Sequence, residues 1–504
     1  MVITLERESG MPLSRQIAER VRSAIRSGDL GPGARLPAER DLAARLGVDR
    51  MTVARAYEDL TRAGLILRHV GRGSFVADEV APGPAQDLPA PPGVLWASAF
   101  ASRAGFTSAG AVGALHAAAP DNAVNLSSLF PDPTLFPLEG FRKAMEIAIR
   151  SEGTRLFGYG PAGGYAPLRR WLVTTLRERG LVVGEDEIVI TNGSQQGIDL
   201  AARAFLDPGD RVIVENPTYT GAVQVFHSHG ARVIGVPVDH EGIRPDRLEE
   251  ALARSGAKIL YLIPNFQNPT SGTMGMARRR TLLEIAARHR VPILEDDFGG
   301  DLRYEGETLP SLKALDRGDS VIYVNTFAKK LLPGLRIGWL AAPREVAERI
   351  SYLKQITDWN TSLFLQGALY EFCRRGMLDR HLKRVRAVYR ERRDSMIEAM
   401  RRHFPKEARW TRPEGGLVVW VTLPPGVDAD EVALEAHGRG VLVGSGDLFF
   451  VDGGTHNNLR LVFAQAGTRA IARGIRTLGK ILHRKMRERR TGAEIGAPES
   501  LPII

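Results

Sequence analysis

Two regimes of apolar spacing divide the chain. In the first, apolar residues fall three and four apart: Ile17, Val21 and Ile25 mark one amphipathic helix that Gly28 ends, and Leu42 and Leu46 mark a second, running from Ala38 to Gly47. Asp49 is a good N-cap for a third helix carrying Val53, Tyr57 and Leu60, because its carboxylate can accept from free backbone N–H groups of the first turn. Two helices joined by a short glycine-containing turn predict a helix-turn-helix. After Gly64, Leu65–Leu67 and Phe75-Val76 flank Gly71-Arg72-Gly73, which predicts a hairpin wing with a basic tip.

In the second regime, short β-branched runs begin near 187, 211, 232, 258, 291 and 320 and alternate with helical patterns. That alternation predicts an α/β domain with a mostly parallel sheet covered by helices on both faces. Between the two regimes, residues 79–93 are dense in proline and glycine and without apolar period, so they read as a semi-rigid linker. Leu95, Trp96 and Phe100 are expected to anchor the chain as order returns. The organisation is therefore 1–78, 79–93, 94–485 and a tail, 486–504, with a basic helical segment from Ile481 leading into it.

Composition narrows the partners. The chain has 504 residues, 43% hydrophobic and 25% charged, as expected of a globular protein of several domains. Its formal charge of +10 favours an anionic partner such as nucleic acid. One cysteine, Cys373, excludes an internal disulfide, and no apolar run reaches the roughly 18 residues that a membrane span needs. The expectation is a cytoplasmic protein with no membrane contact and no metal site.

Chemistry gathers at the strand ends, where ligands of such sheets bind. After EIVIT, Ser194 and Gln195 open a helix whose N-terminus can hold a phosphate. After RVIVE comes Tyr219, able to stack on a planar ring; after KILYLI comes Asn268, fixed by Pro269; after VPIL comes Asp296. After SVIYVN come Thr326 and the pair Lys329-Lys330, on a strand-to-strand connection turned by Pro333-Gly334, with Arg336 seven residues beyond Lys329. A lone lysine there would be an ordinary solvated residue. A phosphate cradle, a ring stacker, an amide, a carboxylate and a lysine at five strand ends match pyridoxal 5'-phosphate, which needs a carboxylate at its pyridine nitrogen and a lysine for its aldehyde.

The residues also carry resemblances. LPAERDLAARLGVDRMTVARAYEDLTRAGLI with GRGSFVAD resembles the winged helix-turn-helix of GntR-type regulators. Arg50, Thr52 and Arg55, near the start of the third helix, are donors suited to phosphates and base edges, and the resemblance implies that Arg40, Arg50 and Arg55 meet DNA while Gly73 lets the wing approach the minor groove. From about Asn125 to Arg473 the chain resembles fold-type I aminotransferases, in particular the α-aminoadipate and kynurenine aminotransferases, which implies a seven-stranded sheet. By that resemblance Lys329 carries the internal aldimine, Asp296 pairs with the pyridine nitrogen, Asn268 donates to O3' and Tyr219 stacks on the ring. Ser194, Gln195, Thr326 and Arg336 then hold the phosphate, Tyr159 reaches it from the other subunit of a homodimer, and Arg460 binds an effector's carboxylate. Three residues depart from the pattern: Phe298 in place of a frequent tyrosine, Ala328 in place of a serine, and Ser271 in place of a glycine.

The combination resembles the MocR family, which implies a regulator that binds double-stranded DNA and senses the cofactor or an amino compound as an aldimine. The alternatives are a metabolic aminotransferase with a secondary winged helix, and a sensor of cofactor alone.

Overall fold

The structure, a computed structural model of the chain, describes residues 5, 11–26, 29–69, 73–77, 99–101 and 122–495, with side chains as far as 489. The wing tip at Gly71-Arg72, the linker, Leu95, Trp96 and residues 496–504 lie outside the described residues. Two compact units are present, Met1–Ser98 and Ala99–Ile504, each taken by itself below.

In the first unit the periodic residues form α1 (Leu13–Arg26), α2 (Glu39–Leu46) and α3 (Arg50–Arg62). Ile17, Val21, Val53, Tyr57 and Leu60 are fully buried among them. Gly47 ends α2 in the left-handed conformation, φ 61°. The Asp49 carboxylate accepts from the Met51 N–H at 2.7 Å, a cap that contributes about 1 kcal/mol. β1 (Ile66–His69) and β2 (Gly73–Val76) pair antiparallel, and Phe75 also bridges to Arg35. The result is a three-helix winged unit.

The second unit is built on a sheet formed from β4 (Ile188–Thr191), β5 (Arg211–Asn216), β6 (Arg232–Asp239), β7 (Gly242–Ile243), β8 (Ile259–Leu262), β9 (Ile293–Asp296), β10 (Val321–Thr326) and β11 (Gly338–Ala341). A short β3 (Val124–Asn125) precedes it and pairs elsewhere, with Val441–Leu442. The order is β4-β11-β10-β9-β8-β5-β6-β7. β11 runs antiparallel to both neighbours, and β8, β9, β10, β5 and β6 are mutually parallel. Seven strands were expected; the eighth is the two-residue β7. Strands β4, β8, β9, β10 and β11 are buried along their length, which is why their sequences are continuous apolar runs without alternation.

C-terminal to it lies a four-stranded sheet of β12 (Arg409–Trp410), β13 (Val418–Thr422), β15 (Gly444–Ser445) and β16 (Asn458–Val462), in the order β12-β13-β16-β15; the Val441–Leu442 strand is β14. The helices Met377–His403 and Thr468–Ile495 pack against each other beside it. Two expectations are corrected here. The basic segment expected to be helical from Ile481 to Arg490 is so, and the helix runs on to Ile495, so the tail begins later than expected; of its basic side chains, Arg484 pairs with Glu435 and Lys485 with Glu431. Phe100 is 65% exposed rather than packed as an anchor among the described residues.

Candidate functional site

The carboxyl ends of β4, β5, β8, β9 and β10 meet at a cavity of about 320 Å³. Ser194, Tyr219, Asn268, Asp296, Lys329 and Arg460 all line it. Arg460 comes from β16 of the smaller sheet, so the cavity lies where the two sheets of this unit approach.

Asp296, the last residue of β9, is 2% exposed. Tyr261 on β8 donates to its Oδ2 at 2.8 Å and the Phe298 N–H donates to its Oδ1 at 3.2 Å. Burial pushes the carboxyl up to about 6, against the pull of the Tyr261 hydrogen bond. Lys329 follows β10 and donates from Nζ to the Leu129 carbonyl at 2.8 Å, 5.4 Å from the Phe130 ring. Burial and then the nearby Arg460 lower its pKa to about 8, with Asp296 pulling the other way. An amine of that pKa has a substantial neutral, nucleophilic fraction near physiological pH.

Lys330 has the opposite fate. It pairs with buried Asp301, donates to Asn325 at 3.2 Å and lies 4.6 Å from the Trp339 ring. Arg179 pairs with the same carboxylate. Burial alone would raise the Asp301 pKa, yet the two cations hold it well below the usual carboxylate range. Only the first lysine of the pair faces the cavity.

The helix Ser194–Phe205 starts at β4, and its terminus is packed closely enough to require glycine at two positions. A Cβ at Gly338 would sit 2.6 Å from the Gly193 carbonyl carbon. Gly193 has φ +84°, and a Cβ there would sit 2.8 Å from the Arg336 guanidinium. Arg336 reaches the Asn192 carbonyl at 3.2 Å, so a cation lies beside a helix N-terminus, as an anion site requires. The Tyr219 hydroxyl donates to Gln195 Oε1 at 3.0 Å, and the ring lies close over Gly221. Thr326 is buried and accepts from the Ala328 N–H at 3.1 Å.

Arg460 donates to Asn268 Oδ1 at 3.1 Å and to the Ser127 carbonyl at 2.8 Å, while its buried Nε has no hydrogen-bond partner. Burial lowers its pKa to about 10. Gln195, Thr326 and Arg336 do not line the cavity. Nor does Tyr159, which is 87% exposed with its ring 5.9 Å from that of Trp359. Ser271 adopts φ +61°, which explains why glycine is usual there, and its hydroxyl donates to Thr411 at 2.7 Å.

Sequence reasoning missed several lining residues. Ser127 to Phe130 lie on a segment with no regular pattern, and Leu448 and Phe449 lie on a short 3-10 helix, Asp447–Phe449, whose approach to β5 has no local signal. Tyr261 sits inside an apolar run, where nothing distinguishes a tyrosine that supports a carboxylate from one that packs.

A sheet of this topology, with a lysine, a buried carboxylate and an anion-binding helix terminus at its strand ends, defines a pyridoxal 5'-phosphate protein of the aminotransferase class. The chain matches "Aminotransferase class I and II" over residues 125–478 and "Bacterial regulatory proteins, gntR family" over residues 13–76. It is 30% identical to the uncharacterized HTH-type transcriptional regulator YisV of Bacillus subtilis, covering 95% of this chain and 98% of that one. It is also 30% identical to the probable rhizopine catabolism regulatory protein MocR of Rhizobium meliloti, covering 87% of each. Among solved structures, the α-aminoadipate aminotransferase LysN of Thermus thermophilus is 36% identical with a TM-score of 0.71, covering 78% of this chain and all of LysN.

The chain belongs to the aminotransferase class I and II family and, with its gntR-type winged helix in front, to the MocR-type regulators of transcription. Its winged helix binds DNA, and its cofactor is pyridoxal 5'-phosphate. The residues present fit that group: the Gly193–Arg336 cradle suits a phosphate, Asp296 a protonated ring nitrogen, and Lys329 an aldehyde. Among the described residues no helix is long and apolar enough to cross a membrane.

Proposed function

We propose that the chain is a regulator in which occupancy of the cavity by an amino compound sets the affinity of the winged helix for DNA. Bound, the cofactor supplies an aldehyde that condenses with amines and a ring that withdraws electrons. Lys329 supplies the resident amine. Asp296, steadied by Tyr261, keeps a proton on the ring nitrogen, Asn268 donates to the ring oxygen, and Tyr219 covers the ring face. Ser194, Gln195, Thr326 and Arg336 take the phosphate, with Tyr159 reaching it from a second copy of the chain. Arg460 takes the effector's carboxylate, a planar two-donor task suited to guanidinium.

On the winged unit, Arg40, Arg50 and Arg55 are exposed and Thr52 is half-buried, all on α2 and α3. They are donors for phosphates and base edges, and Gly73 starts the second wing strand. Glu39 pairs with Arg68 and lies 3.5 Å from Arg50, so it holds helix and wing arginines together.

The observation that carries this reading is one cavity holding Lys329, Asp296 and Arg460 in a chain that also carries a three-helix winged unit. A second reading, a working aminotransferase, is favoured by the same cavity, because no group needed for proton transfer is missing from it. Titrating the chain's own upstream DNA with and without amino acids, alongside a transamination assay, separates the two. An effector-dependent change in DNA affinity supports the regulator; steady turnover with indifferent DNA binding supports the enzyme.

A further inference from the structure

Among the described residues, the charged groups lining the cavity are Asp296, Lys329 and Arg460, and the proposed function gives each of them a task. Among the described residues of one chain, none of these remains for a charge on an effector's side chain. The rest of the wall is apolar or neutral, with Leu129, Phe130, Phe298, Leu448 and Phe449 supplying the large surfaces.

Two of these surfaces are open in a way a ligand would close. Phe130 is 55% exposed and Leu448 42% exposed, both at the cavity, whereas Phe449 is buried beside them. The Phe449 ring lies 4.5 Å from the Arg460 guanidinium, so the apolar wall begins next to the carboxylate anchor. In an α-amino acid the side chain leaves the carbon that bears the carboxylate, so a molecule held at Arg460 directs its side chain at this wall.

The wall is held in place before any ligand arrives. The Thr218 N–H donates to the Phe449 carbonyl at 2.9 Å, the Val451 N–H to Asn216 Oδ1 at 3.1 Å, and Asn216 Nδ2 to Asp452 Oδ1 at 2.7 Å. These bonds tie the segment that carries Leu448 and Phe449 to the end of β5. A preset apolar surface favours an apolar group and disfavours a charge, which would be buried without a partner.

We infer that the effector is an α-amino acid with an uncharged, apolar side chain, lodged against Phe130, Leu448 and Phe449. The inference rests on the reading that Arg460 takes an effector's carboxylate. Acidic and basic amino acids bind the same carboxylate and amine positions but leave their side-chain charge facing hydrocarbon.

The test is a titration of the full chain, loaded with pyridoxal 5'-phosphate, with L-leucine, L-phenylalanine, L-glutamate and L-lysine, read by visible absorbance. Leucine or phenylalanine is expected to half-saturate at a concentration at least tenfold below glutamate and lysine. Leu448→Arg should bring glutamate within threefold of leucine, and Leu448→Met should keep the original order. Glutamate or lysine binding as well as the apolar pair would overturn the inference while leaving the carboxylate reading intact. A cofactor band that no amino acid shifts would overturn both.

Discussion

The two sides of the β10–β11 connection contain adjacent lysines, and their surroundings could hardly differ more. On the Lys330 side the charges are closed upon one another: a cation, the Asp301 carboxylate and Arg179, with Asn325 and Tyr323 completing the hydrogen bonds. On the Lys329 side the groups are buried but not neutralised. Lys329 donates only to a backbone carbonyl, Asp296 is held by a tyrosine rather than a cation, and Arg460 keeps one nitrogen unpaired. Burial with pairing makes structure, whereas burial without pairing shifts pKa values and leaves groups ready for a ligand.

The comparison predicts its largest difference in stability and labelling. Lys330→Ala leaves a buried carboxylate short of one cation and should cost roughly 3 kcal/mol or more in urea unfolding. Lys329→Ala should cost less than about 1 kcal/mol, since it removes a cation that burial already disfavours. After borohydride reduction with cofactor, mass spectrometry should find the label on Lys329 and none in Lys329→Ala. Label on Lys330 would break the comparison.

A third buried group sharpens it. Glu215 accepts from the Ile263 N–H at 2.9 Å, yet burial outweighs its hydrogen bonds and pushes its carboxyl up to about 8. Folded Glu215 therefore keeps its proton up to about pH 8, whereas an unfolded glutamate ionises near the ordinary value of 4.5. The folded state loses stability as pH rises between those values. Glu215→Gln should remove that loss and raise stability at pH 8 by roughly 4 kcal/mol, with little change at pH 4.5, measured as urea midpoints across pH.

Smaller effects follow at the cavity. Because Lys329 has a pKa of about 8, the rate at which cofactor-free protein captures pyridoxal 5'-phosphate should rise roughly 25-fold from pH 6.5 to 8.5 and level off above, followed by absorbance. A rate still climbing tenfold per unit of pH at 9.5 would mean an ordinary lysine. Phe298→Tyr should restore a hydroxyl near the ring oxygen and lower the pH midpoint of the bound-cofactor band by about one unit or less. An unchanged midpoint would remove the significance given to Phe298.

Much of this was legible in the sequence because apolar periodicity and strand ends are local features. Asp49 as a cap, Gly47 as a stop and the five strand ends bearing Ser194, Tyr219, Asn268, Asp296 and Lys329 could be placed without a fold in hand. Choosing Lys329 over Lys330 needed register, which the chain encodes only through which side chain finds Asp301 about thirty residues earlier. Phe130, Tyr261 and Phe449 were illegible for a related reason: each acts by packing against a residue far away in the sequence. The basic run reads as a solvated helix end, but the sequence alone does not show that Arg484 and Lys485 find carboxylates on the helix Ala429–Gly438.

The central claim is that the cofactor cavity governs DNA binding. The most direct measurement is the fluorescence anisotropy of labelled upstream duplex DNA, titrated with wild-type chain and Lys329→Ala, each with cofactor and with or without the effector amino acid, at one fixed salt concentration. Wild-type DNA affinity should change fivefold or more on adding the amino acid, with no change in Lys329→Ala. Identical curves for wild type under both conditions, with the amino acid shown to occupy the cavity by absorbance, would contradict it.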